Sequence, residues 1–466
     1  MSPSASDILK FQKVKKRSTL TYFYFLLSIA AVVAIILHGE KVGRLELIGT
    51  VSVVTLCYIV LYFFLLQFRS EILTVHRKLF FILIIILFFL AITRLVIDKP
   101  GASFILLIPF SIITVMIRTF YDSRLALFIL LITIFLAAFM IANPFEFILM
   151  NFIGGMVAIF TLTNIYRRLQ LIFTALMVII SYSAFYMGSF LMNGGTIEEI
   201  LLSDYIHFAE NGAMILLCYP LILIFEKRFL FLSNATLLEL ADTNQSLLRK
   251  LAEEAPGSFQ HSLQVANLAE EAARVIGANV LLVRTGALYH DIGKIANPKY
   301  YSENQKDGVS PHDKLDPRLS SRVIINHVKN GVILAKNYKI PTQIIDFIRT
   351  HHGTTVAYYF YKKYIDMNPG KKEMQKEFTY PGPKPFSKET AVVMMADAVE
   401  ASSRSLGDYS EENIAEMVER ILVIQEQDGQ FSDIPLTYKN ISDIKEIFRK
   451  RLSNIYHGRV AYPERN

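Results

Sequence analysis

Long apolar runs confined to residues 19–226 are the feature that most constrains this chain. An α-helix needs about 20 predominantly apolar residues to cross the hydrocarbon core of a bilayer, and runs of that kind recur through this region. Hydrophobic residues make up 53% of the whole sequence, which is above the usual share in soluble domains. Residues 227–466, by contrast, have the composition of an ordinary soluble protein. The sequence therefore predicts a polytopic membrane domain followed by a soluble domain.

Eight apolar runs are predicted to be membrane-spanning helices. They lie at about residues 19–37, 47–67, 79–97, 104–117, 125–142, 146–164, 171–192 and 213–226. The fourth and eighth runs are short, so a count of seven spans is the alternative. No A-x-A-like cleavage site closes the first run, which favours a retained anchor over a cleaved signal peptide.

Charge in the connecting loops predicts the orientation of the spans. Basic residues recur in every second loop: Lys13, Lys15, Lys16 and Arg17, then Arg69, Arg77 and Lys78, then Arg118 and Arg124, then Arg167 and Arg168, then Lys227 and Arg228. The loop predicted at 193–212 contains four acidic residues and no Lys or Arg. Because positively charged loops stay in the cytoplasm, eight spans place both termini there.

Arg94 lies inside the third apolar run. An ionisable residue within a membrane span is a candidate functional residue. Arg94 is close to the end of its run, however, so we favour the interpretation that its side chain reaches the membrane surface.

The net charge and the cysteine content limit the kinds of partner and of covalent crosslink that the chain can have. The net charge is +7, but no Lys/Arg-rich stretch with interleaved aromatic residues indicates a groove for a nucleic-acid polymer. We attribute the basic excess to cytoplasmic loops and expect the lipid bilayer as a partner. Cys57 and Cys218 both lie in apolar runs and form no CxxC motif, which excludes a disulfide framework.

The chain is predicted to comprise four segments: a cytoplasmic N-terminus at 1–18, a membrane domain at 19–228, a connecting helix at 229–257 and a soluble domain at 258–466. Leucines at helical spacing predict the connecting helix, which Pro256 and Gly257 would end. Further amphipathic patterns follow, with tail helices near 411–426 and 441–455, and no convincing period-two alternation appears. The predicted fold class is all-α.

Five of the ten histidines fall in the core of the soluble domain, together with two aspartates. They are His261, His290, His327, His351, His352, Asp291 and Asp397. Imidazole and carboxylate ligands suit iron, manganese and related metals. An unpaired ionisable group on an apolar helical face would be costly, so Asp397, which follows the sequence AVVMM, needs a strong partner. Any one of these histidines alone would more often be structural, but the set predicts a metal centre.

The ordered series His261, His290–Asp291, His327, His351–His352 and Asp397 resembles the HD phosphohydrolase superfamily. The stretches GALYHDIGKIANPKYYSENQ, IRTHHGTT and MMADAVEASSRSL are similar to the seven-transmembrane HD family, bacterial membrane enzymes that hydrolyse cyclic di-AMP. The resemblance covers about residues 236–410, and the upstream spans agree with it. It implies a multi-pass protein of the bacterial inner (plasma) membrane with a cytoplasmic all-α HD domain.

Two departures from that family pattern stand out. The family usually carries a large extracellular domain between its first and second spans, whereas only residues 38–46 separate them here. Whether that domain is naturally absent or was removed stays open, and sensing of a ligand outside the cell is in doubt. A smaller departure is Ser310, where the family often has Asn.

By this resemblance, seven side chains would hold two divalent metal ions, iron or manganese. The first ion would be held by His261, His290, Asp291 and Asp397, and the second by Asp291, His327, His351 and His352. Asp291 would bridge the two ions, and a water activated between them would attack phosphorus. The product of cyclic di-AMP would be the linear dinucleotide pApA.

Three further residues are candidates for substrate contacts. Lys294 lies one turn beyond Asp291 and is expected to reach the scissile phosphate as a point charge, the alternative being a solvated lysine at a helix end. His312 could face the substrate or lie in a solvated loop. Arg404 could contact the nucleotide or only cover a helix surface. A homodimer is left open.

Other functions are weighed against this interpretation. A related HD enzyme could cleave cyclic di-GMP or a guanosine alarmone, but the GYP signature of the cyclic di-GMP branch is absent after the paired histidines. A membrane receptor that only binds a nucleotide would tend to have lost metal ligands, and all seven are present. A transporter is disfavoured because the spans lack paired Gly/Pro-broken helices that face acidic residues.

Overall fold

Helices form the secondary structure throughout the residues that this computed structural model describes, which are 5–98, 102–162, 168–199, 201–305, 310–370 and 372–456. Within them the β-structure is limited to one isolated bridge between Val356 and Thr379. Residues 1–4, Arg167 of one basic loop and residues 457–466 lie outside the described residues. The predicted all-α class is confirmed, and the chain divides into two compact units, Met1–Ala235 and Thr236–Asn466.

The first unit is built from ten helices and part of an eleventh within the described residues. They are α1 (Ala5–Ile36), α2 (Arg44–Phe68), α3 (Ser70–Thr74), α4 (His76–Ile97), α5 (Ser111–Phe120), α6 (Ser123–Ala138), α7 (Pro144–Thr161), α8 (Arg168–Met192), α9 (Leu202–Met214), α10 (Cys218–Phe229) and the start of α11 (Asn234–Leu240). Their buried side chains are predominantly apolar and join in one cluster, while many large apolar side chains also remain exposed on the outer surface. Exposed apolar faces are what a helix bundle presents to lipid.

Within the described parts of the chain, six helical segments are long and apolar enough to cross a membrane. They are Thr19–Ile36, Arg44–Phe68, His76–Ile97, Pro144–Thr161, Leu169–Met192 and Leu202–Phe229. Two shorter apolar helices, Ile105–Phe120 and Ser123–Ala138, coincide with the fourth and fifth predicted runs. Each of the eight predicted runs is thus an apolar helical segment. The fourth is short as predicted, but the eighth is the longest of the set.

The eighth segment is long because part of the predicted acidic loop is helical. Residues 193–212 were predicted to be a loop, but α9 begins at Leu202, and the prediction is wrong for 202–212. Asp204 and Asn211 are buried, at 4% and 1% exposure. The Nδ2 of Asn211 donates to the carbonyl oxygens of Leu106 and Ile108 at 2.9 and 3.0 Å. Asn211 therefore satisfies backbone groups inside the unit, and Asp204 accepts a hydrogen bond from the hydroxyl of Tyr186, so neither residue marks a solvated loop.

Arg94 is paired with acidic residues instead of simply reaching the membrane surface. It lies in the last turn of α4 and is 9% exposed. Its Nη2 lies 3.4 Å from Oε1 of Glu40, and its Nε lies 3.3 Å from Oδ1 of Asp98. The guanidinium thus links the loop after α1 to the end of α4. The predicted extension of this side chain toward the membrane surface therefore accounts for only part of its environment.

The second unit continues the helical pattern. Its helices are α11, α12 (Ser246–Glu254), α13 (Pro256–Val275), α14 (Val280–Tyr289), α15 (Pro317–Asn337), α16 (Thr342–Thr350), α17 (Tyr358–Met367), α18 (Lys388–Ser403), α19 (Glu411–Gln427) and α20 (Tyr438–Tyr456). The two predicted tail helices are confirmed as α19 and α20. Helix α13 packs on α14, α18 and α20 and forms the centre of the unit.

The predicted single connecting helix at 229–257 is wrong. The segment contains α11 and α12, separated by residues 241–245, and Pro256 begins α13 rather than ending a helix. Leu247, Leu248 and Leu251 are buried. The leucine spacing therefore marks the face of α12 that packs into the core of the second unit. The hydroxyl of Tyr289 donates to the carbonyl of Leu240 at 3.0 Å, which fixes the end of α11 against α14.

A close approach of two glycines brings α15 against the turn that follows α14. A Cβ on Gly293 would lie 1.8 Å from the carbonyl oxygen of His327 and 2.5 Å from the amide nitrogen of Gly331. No side chain fits in that space, and the absence of one at both positions lets the two backbones touch. This approach places His327 beside Asp291.

Candidate metal centre

Seven side chains from different helices converge in the second unit. His261 projects from α13, His290 and Asp291 follow α14, His327 lies on α15, His351 and His352 follow α16, and Asp397 lies on α18. Six of the seven are buried and His352 is half-buried. All seven residues that the sequence nominated as ligands are therefore brought together.

The first group of ligand atoms comes from His261, His290 and Asp397, and these atoms lie within 4.8 Å of one another. The Nε2 of His261 lies 2.9 Å from Oδ1 of Asp397, and the Nε2 of His290 lies 3.6 Å from the same oxygen. Two imidazole nitrogens thus converge on one carboxylate, an arrangement suited to a single cation.

The second group comes from His327, His351 and His352, whose ligand atoms also lie within 4.8 Å of one another. The Nε2 atoms of His327 and His351 are 3.0 Å apart. The rings of the neighbouring residues His351 and His352 lie close together, with centroids 4.1 Å apart and planes inclined by 46°. These three imidazoles form a second candidate cation position.

Asp291 lies between the two groups. Its Oδ2 is 3.3 Å from the Nε2 of His290 and 3.6 Å from that of His261. Its Oδ1 is 3.3 Å from the Nε2 of His327 and 3.7 Å from that of His351. One carboxylate oxygen therefore faces each group, which is the geometry that a bridging ligand requires.

Backbone carbonyls orient three of the rings. The Nδ1 of His290 lies 2.6 Å from the carbonyl oxygen of Ala287, and the Nδ1 of His327 lies 2.6 Å from that of Ile324. His351 makes the equivalent contact with Ile348 at 3.0 Å. Such contacts are favourable only when Nδ1 carries the proton, which leaves the Nε2 lone pair free to face a metal.

Two buried atoms of the seven candidate ligands lack a hydrogen-bond partner among the described residues, namely Nε2 of His290 and Oδ1 of Asp291. A buried polar atom without a partner is costly, and both atoms point toward the ligand groups. The residues present therefore fit a divalent metal on the chemistry of the donor set and on these orphaned atoms.

Electrostatics favour the ionised form of Asp291 and the neutral form of His352, the forms in which these two side chains can hold a metal. Burial alone would raise the pKa of Asp291, but Lys294 and His290 hold it well below its usual range. Burial lowers the pKa of His352 to about 3 and keeps the ring neutral. For His290, burial opposes charge, yet Asp291 and Asp397 raise the pKa to about 10. The carboxylates thus attract a positive charge to this place, whether a proton or a cation carries it.

Lys294 is held by two carboxylates. Its Nζ lies 2.7 Å from Oδ2 of Asp291 and 2.7 Å from Oε1 of Glu303. Burial would lower its pKa, but the two acids raise it, so the ammonium stays charged. The alternative of a solvated lysine at a helix end does not fit this environment. Glu303 was missed by the sequence analysis, because no periodic pattern marks a loop acid that meets a lysine only in the fold.

Glu400 is a second residue that the sequence analysis missed. Its Oε2 forms a hydrogen bond with Nδ1 of His261, so this ring is oriented by a carboxylate rather than by a carbonyl. The Nε and Nη2 of Arg404 donate to Oε1 of Glu400 at 2.8 and 2.6 Å. The available signal was spacing: Glu400 lies three residues after Asp397, on the same face of α18.

A cavity of 720 Å³ opens beside the ligands, large enough for a nucleotide-sized molecule. Its wall includes Asp291, Lys294, His352 and Arg404. His312 is not among the described residues that line it. The Nε2 of His312 instead lies 2.9 Å from the carbonyl oxygen of Tyr300, and burial lowers its pKa. Arg404 thus lines the cavity beside the candidate ligands, whereas the described contacts of His312 lie elsewhere.

Comparisons with known proteins match both units. Residues 44–233 match the family described as 7TM receptor with intracellular HD hydrolase, and residues 258–402 match the HD domain. Seven of the eight apolar helical segments begin within the first of these ranges. The first unit is therefore that of a multi-pass membrane protein, and the second contains an HD domain, for which divalent-metal binding is the rule.

Two curated relatives are named Cyclic-di-AMP phosphodiesterase PgpH. The protein from Bacillus subtilis (strain 168) is 41% identical over 273 residues, covering 59% of this chain and 38% of the relative. The protein from Listeria monocytogenes serotype 1/2a (strain 10403S) is 38% identical over 315 residues, covering 67% and 44%. The chain thus spans about two fifths of the length of these relatives.

A solved structure, the L. monocytogenes PgpH HD domain in complex with cyclic-di-AMP, is 42% identical in sequence. The match covers 46% of this chain and 100% of that chain, with a TM-score of 0.45. The chain therefore combines a unit similar to the family described as 7TM receptor with intracellular HD hydrolase, over residues 44–233, with an HD domain over residues 258–402.

Proposed function

We propose that this chain is a metal-dependent phosphodiesterase that hydrolyses cyclic di-AMP to pApA. The observation that carries the proposal is the position of Asp291, which turns one oxygen to each of two histidine-rich groups beside an open cavity. The names of the two curated relatives and the ligand in the solved HD domain support the choice of substrate.

The proposed ligand sets follow the two groups. His261, His290, Asp291 and Asp397 would hold one divalent ion, and Asp291, His327, His351 and His352 the other. Imidazole-rich sites favour iron or manganese over magnesium. Bound there, the two ions would activate a water and offset charge on the scissile phosphate.

The chain's own residues account for the remaining steps. The ammonium of Lys294 lies at the cavity wall, where it can donate a hydrogen bond to a phosphate oxygen that gains charge in the transition state. Glu303 holds that ammonium in place through its 2.7 Å contact. Arg404 is 37% exposed at the cavity wall and can reach a second phosphate while it remains paired with Glu400.

We also infer that the HD domain faces the cytoplasm of a bacterial cell, with the first unit in the inner membrane. Basic loops on alternate sides of the spans support this orientation. Cyclic dinucleotides that act as intracellular messengers would then meet the domain directly. A homodimer stays a prediction.

A substrate panel tests the proposal. The metal-free protein, purified in detergent, is loaded with Mn²⁺ or Fe²⁺ and supplied with cyclic di-AMP, cyclic di-GMP and a guanosine alarmone. We expect cyclic di-AMP to be cleaved fastest and chelation to stop the reaction. Fast cleavage of cyclic di-GMP or of the alarmone, with cyclic di-AMP left intact, would identify that nucleotide as the substrate instead. Binding of cyclic di-AMP without turnover would instead make the chain a nucleotide receptor.

A further inference from the structure

The wall of the cavity beside the metal centre also includes residues of α18 and α19 that are not candidate metal ligands. Among them are Met394 and Ala398 on α18 and Ile421, Ile424 and Gln425 on α19. Four of the five side chains are apolar. Apolar walls with one polar group are typical of the part of a ligand site that holds a flat aromatic ring.

Gln425 is the polar member of this group. It is 6% exposed. Its Nε2 donates to the carbonyl oxygen of Met394 at 3.4 Å. Its Oε1 is buried and accepts no hydrogen bond from any described residue. Burial of an acceptor without a donor costs free energy, so such an atom in a cavity wall indicates a donor that a ligand supplies.

We propose that Met394, Ile421, Ile424 and Gln425 form a purine-base subsite in which Gln425 recognises adenine. The proposal rests on the proposed function, because it assumes that a cyclic dinucleotide enters this cavity with a phosphate at the metal centre. The exocyclic amino group of adenine would donate to Oε1 of Gln425 after a small shift of the side chain that exposes this oxygen to the cavity and keeps Nε2 on the carbonyl oxygen of Met394. The isoleucine and methionine side chains cover the faces of the ring.

The orientation of the amide explains selection of adenine over guanine. Adenine presents an amino donor at the position where guanine presents a carbonyl acceptor. A glutamine can serve either base if its amide is free to turn over. Here, a turned amide would set Oε1 against the carbonyl oxygen of Met394, two acceptors facing each other. The contact with Met394 therefore favours the orientation in which Oε1 is offered to the ligand.

The place of Gln425 in the chain agrees with a role in specificity. It lies on α19, beyond the residues 258–402 that match the HD domain. The candidate metal ligands lie inside that range. The metal-dependent hydrolysis would thus depend on residues of the matched HD domain, and the choice of base on α19, which follows it.

The test compares two substrates that differ at one position of the base. Cyclic di-IMP has a carbonyl oxygen where cyclic di-AMP has the amino group. We expect the wild-type protein to prefer cyclic di-AMP, measured as a ratio of kcat/KM values and as a ratio of equilibrium dissociation constants. Gln425→Met keeps the length of the side chain and removes the amide. It should reduce the preference about tenfold, mainly through KM, with metal content unchanged.

The matched control is Gln427→Leu, an exposed position on the same helix, which should keep the wild-type preference. Gln425→Leu is a second variant for the case that the methionine variant does not fold, as judged by thermal unfolding. Cleavage of cyclic di-AMP with an unchanged preference in both Gln425 variants would overturn the subsite and leave the proposed function intact. If no cyclic dinucleotide is hydrolysed, the proposed function fails, and the ratio of dissociation constants still decides the subsite.

Discussion

The Nζ of Lys294 lies 2.7 Å from the Oδ2 of Asp291, the residue that faces both candidate metal positions. The ammonium therefore adds a third positive charge around a carboxylate that would already contact two cations. Glu303 balances this charge from the other side of Lys294 at 2.7 Å. The pair explains how a lysine can remain charged beside metals and stay available to a phosphate.

Replacement of Lys294 by methionine should separate catalysis from metal binding. The variant loses a donor aimed at the phosphate but none of the seven candidate ligands. We expect kcat to fall on the order of 10²-fold, with metal content close to that of the wild type by elemental analysis. The exposed Lys299→Met serves as control and should be fully active. Parallel loss of metal and activity in Lys294→Met would argue that the lysine supports the metal site instead.

Replacement of Asp291 by alanine should remove both metals and nearly all turnover, since one of its oxygens faces each group. His327→Ala should mainly weaken one position, leaving about one equivalent of metal. Asp346→Asn, a carboxylate on α16 that belongs to neither group, should bind like the wild type. Two equivalents of tightly bound metal in purified Asp291→Ala would contradict the bridging role.

Replacement of Glu400 by glutamine should weaken the metal position that includes His261. Glutamine keeps an acceptor for Nδ1 of His261 but removes the negative charge that makes the ring a stronger donor to a metal. We expect the dissociation constant of that metal to rise roughly 10-fold, within the range typical of partners of ligating histidines. Titration of the metal-free protein with Mn²⁺, with the exposed Glu416→Gln as control, measures the change. Equal weakening of both metal positions would indicate a general loss of structure.

Gly293→Ala should destabilise the HD domain and displace His327. The added Cβ would lie 1.8 Å from the carbonyl oxygen of His327, and backbone on both sides must move to accept it. Forced shifts of this kind cost about 1–3 kcal/mol. A lower Tm and a lower metal content are expected together. Gly407→Ala, where nothing lies within 4 Å of an added Cβ, should leave both unchanged, and a wild-type Tm in Gly293→Ala would refute the close approach.

Cysteine labelling tests the orientation of the membrane unit. Cys57 and Cys218 are first replaced by serine, and a single cysteine is placed at Glu198, which is exposed ahead of α9. An impermeant thiol reagent should label this position in intact cells, whereas a cysteine at Lys227, in the last turn of α10, should react only after lysis. The reverse pattern would invert the topology and place the HD domain outside the cell.

The apolar spans and the metal ligands could be predicted because their signals are local. A run of apolar residues predicts a span wherever it occurs, and each ligand is recognisable by residue type and by its order along the chain. The prediction failed at residues 202–212, where acidic residues, Asp204 among them, and the lack of Lys or Arg suggested a loop. Asn211 is buried because it bonds the backbone of Leu106 and Ile108. These partners lie more than 100 residues earlier in the chain. No local pattern contains that pairing.

The sequence by itself determined the two-part organisation, the all-α class and the identity of seven candidate ligands, since these depend on composition, spacing and side-chain chemistry. Only the tertiary structure decided which oxygen of Asp291 faces which histidines, that Glu400 orients His261 from 139 positions away, and that Gln425 lines the same cavity. Those relationships depend on how helices pack. Packing is set by the sum of many contacts between residues distant in the chain, and no single stretch of sequence records it.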